Sequence, residues 1–97
     1  MSEQTNMEPK FPLGEVVATP GALEALEKTG QDPRDFITRH VTGDWGSVPA
    51  EDAQANDDAL EHGGRTISAY QTSAGVRIWV ITESDRSVTT LLLPSEY

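Results

Sequence analysis

Two histidines and sixteen carboxylates are the groups of this 97-residue chain best suited to moving protons or holding a metal. Neither His40 nor His62 belongs to an HExxH motif, to a histidine pair at ligand spacing or to an EF-hand loop. Each falls in the last turn of an expected helix, where the helix dipole favours an imidazolium, and this gives both a capping role. The alternative is a small enzyme using His40 or His62 with a carboxylate. It requires the two groups to converge in a pocket. There is no cysteine, which excludes disulfides, thiolate zinc sites, iron–sulfur clusters and a cysteine nucleophile. No nucleophile elbow, Walker A loop or dinucleotide-binding glycine motif occurs. No cofactor, metal or catalytic residue is therefore expected, and the chain reads as non-enzymatic.

A different chemistry needs no bond-making. Between Val41 and Gly64 there is no Lys or Arg, whereas six carboxylates occur: Asp44, Glu51, Asp52, Asp57, Asp58 and Glu61. The whole chain has 7 basic against 16 acidic residues, a formal charge of −9. A field of that sign repels nucleic acid and anionic membranes and favours a protein partner with a basic surface. Carboxylates spaced along a helix can also occupy a basic groove built for phosphates. The six acidic residues, with Trp45 in the intervening GDWGS loop, are the expected partner-binding set.

The elements that must hold these groups follow from local signals. Met1–Lys10 is polar and aperiodic, and residues 1–12 are expected to form a disordered tail ahead of a single domain at 13–97. Phe11 and Leu13 are the first residues able to pack. GEVVA (14–18) suits a short strand. Thr19-Pro20 and Asp32-Pro33 each read as a helix N-cap followed by proline at the first helical position, and Gly30 and Gly43 read as stops. Pro49 opens a third, acidic helix to about His62 with a poor apolar face. Three β-rich runs follow, at 65–72, 76–83 and 88–93, separated by turns. The expected fold is α+β: a short N-terminal strand, a helical hairpin, a third acidic helix, then a three-stranded antiparallel β-meander. The helical hairpin resembles a helix-turn-helix only in outline. It carries Glu24, Glu27, Asp32 and Asp35 against Lys28, Arg34 and Arg39, and so lacks a basic footprint for DNA. Arg86, beside Asp85 and near Glu83, reads as a hairpin surface ion pair.

Three segments, GEVVATPGALEALEKTG, FITRHVTGDWG and IWVITESDRSVTTLLLPSEY, resemble a family of small proteins encoded on prophages, plasmids and integrative elements. Its members are often labelled plasmid-related, or as a type I restriction endonuclease subunit. The resemblance covers about Leu13 to Tyr97. It implies a mobile-element context and a compact α+β fold, and it carries over no catalytic residues. Charge and resemblance together suggest a cytoplasmic accessory protein of a mobile element that binds a basic protein. That partner could be a host defence nuclease, of a restriction or CRISPR system, inhibited by a nucleic-acid-mimicking surface. The alternative is an antitoxin-like or regulatory partner of a basic protein.

Overall fold

The structure is a computed structural model and describes residues 8–97; the first seven residues of the expected tail lie outside them. The elements run β1 (Glu15–Ala18), α1 (Pro20–Thr29), α2 (Pro33–Val41), α3 (Ala50–His62), β2 (Thr66–Gln71), β3 (Arg77–Thr82) and β4 (Val88–Leu92), closed by a 3-10 turn at Pro94–Glu96. The class is α+β, as expected.

Local chemistry accounts for the helix limits. The Thr19 hydroxyl accepts from the Ala22 amide, and Gly30 ends α1 in the left-handed region at φ 69°, its N–H turned back to the Glu27 and Leu26 carbonyls. The Asp32 carboxylate accepts from the Arg34 amide at the start of α2. α3 begins at Pro49 with no side-chain cap. The Glu96 carboxylate reaches back to Thr19 and to the Gly21 amide, which pins the 3-10 turn onto the first turn of α1.

β2, β3 and β4 pair antiparallel, but the meander is not the whole sheet. β1 adds to β4 in parallel, from Glu15 opposite Val88 to Ala18 opposite Leu91, giving a mixed four-stranded sheet in the order β1-β4-β3-β2. This corrects the expected three-stranded sheet. The outer edge of β4 carries backbone groups that need partners, and β1 supplies them. A parallel pairing between distant segments leaves no hairpin signal in the sequence.

One face of the sheet buries Tyr70, Ile78, Val80 and Leu91 against Ala22 and Leu26 of α1 and Phe36 of α2. Further along the same face the inward positions become hydroxyls, with Thr66, Ser68, Thr82 and Thr89 all buried. A second cluster joins Phe11, Val41 and Trp45, with Leu13, Val48, Ala53 and Leu60 packed around it. Phe11 is thus part of the packed body. Arg86 does not form the expected surface ion pair. It sits at φ 61°, its guanidinium donates to the carbonyls of Gly64 (2.6 Å), Glu83 (3.1 Å) and Ala59 (3.2 Å), and it lies over the Phe11 ring. The inward turn places a cation at the C-terminal end of α3, where free carbonyls need donors.

Candidate functional site

The two histidines have opposite fates. His62 lies 76% exposed beside Glu61, 3.6 Å away on an open surface. His40 is fully buried at the end of α2, over the hydroxyl-lined part of the sheet. Its Nδ1 lies 2.6 Å from Ser68 Oγ, and its Nε2 lies 2.9 Å from Thr82 Oγ1 and 3.4 Å from Thr66 Oγ1. The direction of this network is fixed by its far end. Thr89 gives its one hydroxyl proton to the Leu13 carbonyl at 2.8 Å. Thr82, 2.7 Å away, must therefore donate to Thr89. His40 Nε2–H in turn donates to Thr82, and Nδ1 accepts from Ser68. The imidazole is neutral and both nitrogens are occupied. Burial pushes it down to about 4, and the Arg86 guanidinium adds to this. The edges of Phe11 and Trp45 close over it, at ring-centre distances of 5.3 and 5.7 Å. His40 is a core histidine rather than a charged cap. Among the described residues no carboxylate is hydrogen-bonded to it.

Trp45 does not stand exposed in its loop. It is only 7% exposed, it stacks on Phe11 at 6.2 Å, and its indole N–H donates to Asp57 Oδ1 at 3.0 Å. The core offers an aromatic partner and a hydrogen-bond acceptor for its one polar atom. The backbone on either side of Gly46 seals the edge of β2: the Ser47 amide donates to the Ala69 carbonyl, and the Ala69 amide donates to the Trp45 carbonyl. Asn56 does the same two residues earlier, its amide making both hydrogen bonds to the Ile67 backbone (2.8 and 3.0 Å).

Asp44 also has a structural task. Its carboxylate pairs with Arg39 at 2.7 Å and accepts from the Gly46 amide, and this bonding holds its carboxyl below the usual carboxylate range. Its carbonyl accepts from the Tyr70 hydroxyl, which burial pushes up to about 12. The five carboxylates of α3 do not all point the same way. Asn56 and Ala59 are its buried residues. At about 100° per residue, Glu51, Asp57, Asp58 and Glu61 then share roughly a third of the circumference, on the solvent side. Asp52 stands on the opposite flank, toward the sheet. Of the seven expected contact residues, four form one surface. Asp52 borders that surface's neighbour, described next; Asp44 is half exposed but paired with Arg39, and Trp45 is buried.

That neighbour is a recess of about 400 Å³ on the second face of the sheet. Val48, Pro49, Ile67, Ala69, Trp79 and Tyr97 form its apolar walls, with Asp52 and Arg77 as its charged groups. The Trp79 and Tyr97 rings meet edge-on at 5.6 Å, and Arg65 holds Tyr97 through its hydroxyl and ring face. The expected set contained only Asp52 of this lining. A signal existed: β3 carries large apolar groups on both faces, and three short helices cannot cover both. Among the described residues no cluster of three or more His, Cys, Asp or Glu is arranged to hold a metal ion, and no helix is long and apolar enough to cross a membrane. No protein-family model, curated protein or solved structure matches the chain.

Proposed function

We propose that this chain is a binding protein that docks on a basic protein surface through the outer face of α3. The observation that carries the reading is the alignment of Glu51, Asp57, Asp58 and Glu61 on the solvent side of a helix that contains no Lys or Arg. Their placement works against the helix itself. Asp57 and Glu61 are like charges at i,i+4, and Asp58 and Glu61 stand toward the negative end of the dipole. Asp57 also serves packing by accepting from the Trp45 indole, but the like-charged row as a whole suits a helix that presents charge to a basic partner. The row of carboxylates is also suited to a groove that otherwise holds phosphates, which agrees with an inhibitor of a nucleic-acid-handling protein in a mobile-element setting. The buried His40 and the open-surface His62 do not converge with a carboxylate in a pocket, which favours binding over His-based chemistry.

The test is affinity isolation from a lysate of the native source with the wild-type chain and with E51Q/D57N/D58N/E61Q. The amide introduced by D57N retains an oxygen for the Trp45 indole. A partner held by the wild type, lost with the variant and released by salt supports docking through α3. Equal capture by both chains overturns it.

A further inference from the structure

The recess beside α3 has the features of a side-chain socket. Its volume, about 400 Å³, lies within the range of sites that bury a compact ligand group, roughly 300–1,000 Å³. Its walls are aromatic and aliphatic. Two adjoining hollows place its charges. A polar hollow of about 350 Å³ shares Ser47, Ala69 and Arg77 with it, and a smaller one of about 160 Å³ shares Asp52 and Ile67. Arg77 thus borders the apolar socket on one side and Asp52 on another.

Most of the chain's other basic side chains are already engaged. Arg39 pairs with Asp44, Arg34 with Asp32, and Lys28 with Glu24. Arg65 is bonded to Tyr97, and Arg86 to three carbonyls. Among the described residues Arg77 and Asp52 have no ion pair or side-chain hydrogen bond, although acidic residues outnumber basic ones by more than two to one. An arginine left unpaired in so acidic a chain, at the rim of an aromatic socket, is available to a carboxylate from outside. Asp52 is likewise available to a cation.

We infer that this socket takes a bulky apolar side chain from an extended peptide segment of the protein partner, with an acidic residue on one side of the anchor meeting Arg77 and a basic residue on the other meeting Asp52. The inference rests on the protein-binding reading above and deepens it. The carboxylates of α3 give long-range attraction and on-rate, and the socket gives specificity through a desolvated anchor.

The test uses capped synthetic peptides followed by NMR on the Trp79 indole N–H. The probes are Lys-Gly-Phe-Gly-Glu, the same peptide with Ser in place of Phe, and Lys-Gly-Phe-Gly-Lys. The first peptide is expected to shift the Trp79 resonance saturably, with the Ser peptide about tenfold weaker or silent. R77E, an exposed substitution that leaves the core intact, should weaken the Lys/Glu peptide about threefold and invert the preference in favour of the Lys/Lys peptide. No shift at Trp79, an equal response to the Ser peptide, or a preference unchanged by R77E would each overturn the socket. E51Q/D57N/D58N/E61Q should still bind the first peptide. A socket that works in a chain whose partner capture is indifferent to the α3 carboxylates would sink the docking reading alone, so the two failures are distinguishable.

Discussion

His40 makes the stability of this fold acid-sensitive within a defined window. In the folded chain the imidazole stays neutral to about pH 4, while in the unfolded chain it takes a proton below its ordinary value of 6.5. Above 6.5 both states are neutral and the group contributes no pH dependence. As the pH falls from 6.5 toward 4, the unfolded state gains the proton first and stability is lost; below 4 the effect levels off. The gap, 6.5 less about 4, amounts to about 3 kcal/mol at 1.36 kcal/mol per unit, of which about 2 kcal/mol is already gone at pH 5. Asp32, Asp44, Asp85 and Glu96 are held below their ordinary values by their hydrogen bonds, so what they contribute is present above those values and lost only at still lower pH. The window from pH 7 to 5 therefore isolates His40. The assay is urea unfolding followed by tryptophan fluorescence at about pH 7 and about pH 5, on the wild type and on His40→Gln. The glutamine can keep a donor toward Thr82 but cannot titrate. It should cost about 1–3 kcal/mol at pH 7 through imperfect hydrogen bonds, and it should remove the slope between 7 and 5. Parallel pH dependence in the two proteins, or a flat wild type, would refute the buried neutral imidazole.

Other outcomes follow from the same geometry. Asp58→Asn with Glu61→Gln should stabilise the fold by about 0.5–1 kcal/mol while weakening partner capture, a pairing of effects visible in a thermal melt beside a pull-down. Gly46→Ala places a methyl at φ 75° against the Ala69 carbonyl and the Tyr70 ring, and should cost more than about 2 kcal/mol in chemical denaturation. Arg86→Ala leaves the Gly64, Glu83 and Ala59 carbonyls without this donor and should cost about 2 kcal/mol, with early amide exchange at the end of α3.

What was legible in the sequence is what is decided locally. Thr19-Pro20, Asp32-Pro33 and Gly30 cap the helices they announce, because a cap is chemistry within four residues. The three β-rich runs at 65–72, 76–83 and 88–93 became β2, β3 and β4, because β-branched and aromatic composition is likewise a local signal. The features that escaped depend on distant partners. β1 finds β4 across most of the chain, and Trp45 is buried by Phe11 from the far side of two helices. Arg86 turns inward because the carbonyls it meets belong to α3, the α3–β2 link and its own hairpin. At His40, local dipole reasoning favoured an imidazolium, but burial against strands β2, β3 and β4, with the Arg86 cation nearby, keeps the ring neutral. The acidic surface was half legible: charge density survives folding, whereas direction depends on which helix face is buried.

The most direct measurement is the amide chemical-shift footprint of a captured basic partner on the isotope-labelled chain. Docking through α3 places the largest changes between Glu51 and Glu61 and at Ser47 and Val48 beside them, with β1 and α1 unmoved. A footprint centred on β1 and α1 with α3 silent would contradict it.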